Sequence, residues 1–198
     1  TFSNSANAQW FAYPIQDPFN LQNGYGTQVN VVEFADLDND GDYDFLSGEY
    51  DQAGYGYSLG FQFQENIGNA TNPNFGTASG NPYGLVSYSP SFPNIAIYQM
   101  FKLIDLDNDG DFDILANVIH QDISQYAITT DFLYYENVGS PSSPQFSTPL
   151  TNPFGLNSSQ SIQHTTLGDI DSDGDLDLLG FSYDPNNSTA DAIFIENT

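Results

Sequence analysis

The sequence predicts an all-β fold made of three repeats, each of about four short antiparallel strands. Three acidic nine-residue segments recur at 36–44, 105–113 and 169–177, which sets a repeat of roughly 65 to 70 residues. Hydrophobic and polar residues alternate around these segments, as in Phe61, Phe63 and Glu65. Turn-forming Gly, Asn, Ser, Pro and Asp recur throughout, and no long stretch has a helical period.

Composition bounds the function classes. The 198 residues are 39% hydrophobic and 15% aromatic, which is enough for a packed core. They carry 26 acidic residues against a single basic one, Lys102, for a formal net charge of −25. We therefore expect neither nucleic acid nor anionic lipid as a partner, since little is present to neutralise phosphates. There is no cysteine, and no apolar run is long enough to predict membrane insertion.

The same elements follow in order in every repeat. A Pro-aromatic-x-Leu segment begins each one, at 18–21, 82–85 and 153–156. The acidic segment comes next, and then an aromatic-rich strand that ends in Glu-Asn at 65–66, 136–137 and 196–197. We therefore divide one overall domain into residues 1–17, repeat 1 (18–81), repeat 2 (82–152) and an incomplete repeat 3 (153–198).

The acidic segments have the spacing of calcium loops. Such loops place side-chain oxygens at positions 1, 3 and 5, a glycine at 6 and a main-chain carbonyl at 7. Five carboxylates in nine residues repel one another unless a cation lies between them. We expect three Ca²⁺ sites, with position 7 binding through its carbonyl and position 9 closing the shell: Asp36, Asp38, Asp40, Asp42 and Asp44; Asp105, Asp107, Asp109, Asp111 and Asp113; Asp169, Asp171, Asp173, Asp175 and Asp177.

Two alternatives to this calcium site are disfavoured. An EF-hand needs Glu at position 12, where the loops have Ser47, Ala116 and Gly180. Magnesium prefers a tight octahedron to many flexible oxygens. The apolar residues of the loops are expected to point inward at both position 2 and position 8: Leu37, Leu106 and Ile170, and Tyr43, Phe112 and Leu176.

The DxDxDGDxD loops, followed by Glu-Asn-x-Gly and a later Pro-x-Phe, resemble FG-GAP/VCBS-type repeats. These occur in integrin α-subunit heads and in many secreted bacterial proteins and lectins. The resemblance spans nearly the whole chain and implies β-propeller blades, with calcium held between two strands of each blade. It also implies extracellular adhesion or binding more often than catalysis. Closed propellers of that family have six or seven blades, whereas this chain has three.

Residues 1–17 have the length and aromatic content of the piece that repeat 3 lacks. In this arrangement Trp10-Phe11 would take the place of Phe75 and Phe146. Three blades do not close a ring, so we expect this strand to complete the third blade of a neighbouring chain. The result would be a head-to-tail homo-oligomer or filament. An unrelated leader, or a fragment of a longer propeller, remains the alternative.

The expected function is that of an extracellular calcium-binding repeat protein acting as a self-assembling structural or adhesive subunit. Free calcium is too scarce in the cytosol for loops of moderate affinity, which places the protein outside the cell or at its surface. No enzyme is expected: the histidines His120 and His164 fit no catalytic motif. A glycosidase pair would have to come from acids outside the loops, namely Glu49, Asp51, Asp122, Asp131 and Asp184.

Sugar binding is the alternative function, and glycosylation is a separate possibility. Exposed tyrosines could stack on sugars, as in a lectin-like propeller module: Tyr50, Tyr55, Tyr57 and Tyr88. The Asn-x-Ser/Thr pattern marks four candidate glycosylation sites, a number close to chance for this composition: Asn69, Asn157, Asn186 and Asn187.

Overall fold

The computed structural model describes residues 13–22, 28–53, 56–88, 94–122, 127–157, 162–184 and 189–197. It confirms an all-β protein with three antiparallel sheets. Within the described residues, no helix has the length and apolar character needed to cross a bilayer. The strands are β1 (Gln28–Ala35), β2 (Asp44–Ala53), β3 (Gly56–Gln64), β4 (Ser79–Gly80), β5 (Asn94–Ile104), β6 (Asp113–Asp122), β7 (Ala127–Tyr135), β8 (Leu150–Thr151), β9 (Ile162–Gly168), β10 (Asp177–Asp184) and β11 (Thr189–Ile195).

Consecutive strands pair within each sheet. Sheet 1 has the order β1-β2-β3-β4, sheet 2 has β5-β6-β7-β8, and sheet 3 has β9-β10-β11. The expected four strands are therefore present in sheets 1 and 2, while sheet 3 has three among the described residues. Residues 1–12, which include the Trp10-Phe11 pair, lie outside the described residues.

Sheet 2 is packed between the other two sheets. The face of sheet 2 toward sheet 1 forms one hydrophobic core with that sheet. In this core the centroid of the Phe61 ring lies 5.5 Å from that of Phe101 and 5.4 Å from that of Tyr135. The opposite face of sheet 2 packs on sheet 3 through a second core that includes Leu115 and Ile162. The three sheets therefore form a row in chain order.

The Pro-aromatic-x-Leu segments form tight turns that tie the start of a repeat to its end. Pro18–Asn20 and Pro82–Gly84 are 3-10 turns. The carbonyl of Phe19 accepts a hydrogen bond from the Phe75 N–H at 2.9 Å. The corresponding bond in repeat 2 runs from the Phe146 N–H to the Tyr83 carbonyl at 2.8 Å. The sequence pattern thus encodes a closure of the repeat on itself that recurs in repeats 1 and 2.

The Glu-Asn-x-Gly segments form a second recurrent turn. The Asn137 side-chain oxygen accepts from the N–H groups of Gly139 at 3.0 Å and Gln145 at 2.8 Å. Glycine is required here because a Cβ atom at position 139 would lie 2.4 Å from the Ser143 carbonyl oxygen. Gly68 has the same close approach in repeat 1.

The lone basic side chain also has a structural role. Lys102 on β5 forms an ion pair with Glu33 on β1. The two positions correspond in the repeats, each three residues before its acidic loop. This contact therefore joins the first strands of sheets 1 and 2.

Candidate metal centres

Each acidic loop connects the first two strands of its sheet and brings three carboxylates together. The oxygens available as ligands in each triad all lie within 4.8 Å of one another. Every triad joins the aspartates at positions 1, 3 and 5 of a loop: Asp36, Asp38 and Asp40; Asp105, Asp107 and Asp109; Asp169, Asp171 and Asp173. These are the side chains that the spacing predicts as ligands.

The loop backbone explains why alternating aspartates converge. Residue 4 of each loop is left-handed, with φ of 59° at Asn39 and 62° at Asn108. The glycine at position 6 also has positive φ, 98° at Gly41 and 97° at Gly110, which a side chain would strain. Together these two residues coil the loop so that the side chains at loop positions 1, 3 and 5 turn toward one centre.

Hydrogen bonds from main-chain N–H groups to the first carboxylate hold this coil in repeats 1 and 2. Asp36 accepts from the N–H groups of Asp40 and Gly41, both at 3.0 Å. Asp105 accepts from Asp109 and Gly110 at the same distances. The loops of repeats 1 and 2 are thus organised by their own side chains.

A fourth carboxylate adds an oxygen that sequence reasoning did not assign. The Oδ1 atoms of Asp42, Asp111 and Asp175 are buried and have no hydrogen-bond partner among the described residues. Burial and the neighbouring loop carboxylates raise the pKa of Asp42 and of Asp111. Buried polar atoms are normally paired, and a cation bound in the loop would supply the partner that these oxygens lack. Sequence analysis assigned position 7 only a carbonyl ligand, because spacing does not reveal side-chain burial.

The carboxylate at position 9 links the loop to the end of its repeat. Asp44 accepts from the Leu37 N–H at 3.2 Å and from the Asn66 N–H at 2.8 Å. Asp113 and Asp177 make the same two contacts in repeats 2 and 3. Burial raises the pKa of Asp44 to about 6, against the lowering effect of these bonds. Position 9 therefore positions the loop, whatever it contributes to a cation.

The expectation that the apolar loop residues all point inward is wrong for several of them. At position 8, Tyr43, Phe112 and Leu176 are exposed, because the next residue is the buried aspartate and neighbours in a strand point to opposite faces. At position 2, Leu37 is buried but Ile170 is exposed. Leu37 is covered by sheet 2, whereas no described residue covers Ile170 in the same way.

The other candidate residues form no second centre among the described side chains. His120 lies against Asp131, with 2.9 Å between Nε2 and Oδ2, and its ring contacts Tyr88 edge-on. Burial lowers the pKa of His120 even though Asp131 raises it. Glu49 is buried on β2 and His164 is exposed on β9. The side chains of some candidates lie outside the described residues: Tyr50, Asp51, Tyr55, Tyr57, Asp122 and Asp184.

Two of the four candidate glycosylation sites fall in the described residues. Asn69 is exposed, and its side-chain oxygen accepts from the Thr71 hydroxyl at 2.8 Å. Asn157 is also exposed. Asn186 and Asn187 lie outside the described residues.

Comparisons of this chain with family models, with curated proteins and with solved structures give no match.

Proposed function

We propose that this protein is an extracellular calcium-binding β-repeat protein that acts as a self-assembling structural or adhesive subunit. The observation that carries the proposal is the convergence of three aspartates in every acidic loop, with ligand oxygens within 4.8 Å. The buried, unpartnered Oδ1 at position 7 supports it independently. Oxygen donors in a flexible loop suit Ca²⁺, which takes six to eight of them.

Electrostatics supports a cation as a requirement for folding. Fifteen of the 26 acidic residues lie in the three loops, within a chain of net charge −25. Ca²⁺ would replace repulsion inside each loop with attraction. A ligand that binds only the folded state adds about 4 kcal/mol per site at a thousandfold excess over its dissociation constant.

Assembly is proposed through the open edge of sheet 3. In sheets 1 and 2 the third strand pairs with a short fourth strand, β4 on β3 and β8 on β7. No described strand occupies the matching edge of β11. An unpaired edge is a template for another strand. We assign this edge to the N-terminal segment of a neighbouring copy, which would make each sheet a four-stranded blade.

The residue before each proline supports that assignment. The Asn81 side chain accepts from the Phe61 N–H at 2.9 Å, and Asn152 accepts from the Phe132 N–H at the same distance. Asp17 holds the equivalent position before Pro18 and has a similar backbone, with φ of 47°. Counting along the repeat, its partner would be the N–H of Ala192 on β11. Asp17 therefore has the same backbone conformation as the residues that cap β3 and β7, and no described residue caps β11 in this way.

Calcium titration by calorimetry tests the metal centres. We expect three Ca²⁺ per chain, two in the Asp107→Asn variant, and three in the control Asp191→Asn, which changes an exposed acid outside the loops. Excess chelator should lower the melting temperature steeply. Absence of calcium binding, or a melting curve that chelator leaves unchanged, would contradict the proposal.

Light scattering and electron microscopy in calcium test the assembly. The full chain should form oligomers or filaments, and deletion of residues 1–17 should leave shorter species with an open edge. A deletion variant that assembles as well as the parent would refute strand completion while leaving the metal centres intact.

A further inference from the structure

One aromatic contact recurs wherever two successive sheets meet. Phe63 on β3 contacts Tyr83 in the first turn of repeat 2, with ring centroids 5.1 Å apart. Tyr134 on β7 contacts Phe154 in the first turn of repeat 3, with centroids 5.0 Å apart. Both pairs are edge-to-face. The third strand of one repeat thus packs on the turn that begins the next.

Both members of a third such pair are present, at opposite ends of the row of sheets. Phe194 on β11 corresponds to Phe63 and Tyr134, and Phe19 corresponds to Tyr83 and Phe154. Phe63 is 6% exposed and Tyr134 is 3% exposed, whereas Phe194 at the same strand position is 47% exposed. A turn ring stays exposed even when it is paired, since Phe154 is 64% exposed against 55% for Phe19, so only the exposure of Phe194 departs from the internal pattern. Each ring has the position of an interface residue and has no aromatic partner of this kind among the described residues.

The surroundings of Phe19 have the shape of a half-built interface. Phe19, Leu21, Phe34 and Tyr43 line a cleft of about 470 Å³ on sheet 1. We call it the repeat 1 cleft.

Repeat 3 has a matching cleft of about 110 Å³. Its lining includes Leu106 and Leu115 of repeat 2 together with four residues of repeat 3: Phe154, Leu156, Leu167 and Leu176. The repeat 1 cleft has corresponding residues at these four positions and no lining residue from a preceding repeat. Another side of it is formed by Ala70, Pro73 and Phe75, which have no described counterpart in repeat 3.

Repeat 3 carries the residues that this cleft lacks. Ile170 corresponds to Leu106, and Leu179 corresponds to Leu115. Leu37, the same position in repeat 1, is 3% exposed where it packs on sheet 2, but Ile170 is 53% exposed. The outer face of sheet 3 is therefore an apolar surface whose complement lies on sheet 1 of the same chain.

We propose that a second copy of this chain docks head to tail, with Phe194 and Ile170 of one copy entering the repeat 1 cleft around Phe19 of the next. The proposal rests on the proposed self-assembly and adds to strand pairing a face-to-face sheet interface. The occupant is a second copy because the two surfaces carry aromatic and aliphatic residues at the positions that form the two interfaces inside the chain. Such a contact is heterologous, so it closes a ring or extends a filament.

This interface is also expected to depend on cations. Between repeats 1 and 2, Asp36 of one acidic loop and Asp111 of the next line a common cavity. Docking in the same geometry brings the third acidic loop of one copy beside the first loop of the other. Two uncompensated loops of five carboxylates repel each other, so calcium should favour docking.

Thiol crosslinking tests the contact directly, because the chain has no cysteine to interfere. The double variant Phe19→Cys/Phe194→Cys is treated in calcium with a short bismaleimide. The control Phe19→Cys/Val138→Cys moves one thiol to another exposed apolar position. We expect a ladder of covalent multimers, or a doubly linked closed oligomer, from the first variant and at least tenfold less from the control. Light scattering and calcium titration on the same samples report assembly and metal binding.

Two outcomes would overturn the inference, and they can be told apart. Assembly by light scattering with no crosslinking above the control would refute this interface and leave the proposed self-assembly standing. A parent chain, with Phe19 and Phe194 intact, that stays monomeric at high concentration while binding three Ca²⁺ would refute both the interface and the assembly, leaving the metal centres. Crosslinks between two copies of the single variant Phe194→Cys would indicate a symmetric contact and would also refute head-to-tail docking.

Discussion

Replacing Asp113 by alanine should be among the most destabilising single changes in the acidic loops. The Asp113 carboxylate is buried and accepts three hydrogen bonds, from the N–H groups of Leu106 at 3.2 Å and Asn137 at 2.8 Å and from the Tyr134 hydroxyl at 2.8 Å. Alanine leaves all three donors without this acceptor, and the two in buried contacts, from Asn137 and Tyr134, cost about 1–3 kcal/mol each. Burial raises the pKa of Asp113, which means that its charged form is unfavourable in the folded state. Removing this carboxylate therefore offsets part of the lost stability. We expect the free energy of unfolding to fall by about 3–5 kcal/mol.

Repeat 1 provides the internal comparison. Asp44 accepts the two corresponding main-chain hydrogen bonds, from Leu37 and Asn66. Among the described contacts, no tyrosine hydroxyl donates to Asp44. Asp44→Ala should therefore cost about 1–2 kcal/mol less than Asp113→Ala, the value of one buried donor.

Urea unfolding followed by circular dichroism, in saturating calcium, measures these differences. A double-mutant cycle of Asp113→Ala with Tyr134→Phe isolates the hydroxyl contact, because any change in calcium affinity is common to both backgrounds. The expected coupling is about 1–2 kcal/mol. A coupling near zero, or an Asp44→Ala variant as unstable as Asp113→Ala, would refute this account of position 9.

Two further predictions concern the turns and the buried histidine. Gly139→Ala should lower the free energy of unfolding by more than about 2 kcal/mol, because its Cβ would lie 2.4 Å from the Ser143 carbonyl oxygen. Gly168 has open space around it, so Gly168→Ala should change the free energy of unfolding by less than about 1 kcal/mol. Equal melting temperatures for the two variants would contradict the role of the Glu-Asn-x-Gly turn. Burial holds the pKa of His120 below its ordinary 6.5, so the protonated form is disfavoured in the folded state. The stability that neutral His120 contributes is thus present above pH 6.5 and lost as the pH falls through its lowered pKa. The difference in unfolding free energy between the parent and His120→Gln should shrink over that range in urea titrations. A difference that grows on acidification would show instead that Asp131 dominates.

Much of the architecture follows from local pattern. The repeat, the β class and the position of each acidic loop were predictable because each depends on residues close together in sequence. Asp36, Asp38 and Asp40 converge through a turn set by Asn39 and Gly41, so spacing by itself predicts the triad. The Pro-aromatic-x-Leu and Glu-Asn-x-Gly segments are likewise short-range structures with visible signatures.

Tertiary structure decided what depends on neighbouring sheets. Leu37 and Ile170 occupy the same loop position, yet Leu37 is buried because sheet 2 covers it, and Ile170 is exposed in the part of the chain that the structure describes. The side chain at position 8 points outward because the aspartate that follows it points inward. In repeat 1 this aspartate is Asp44, which accepts a hydrogen bond from the N–H of Asn66, 22 positions further along the chain. The burial of the Asp42 side chain was equally invisible in the spacing. The sequence determined which elements form and recur, since those are set by local sterics and hydrogen bonding. Which of their faces are covered was decided only by the packing of one sheet on the next, because burial depends on residues far apart in the chain.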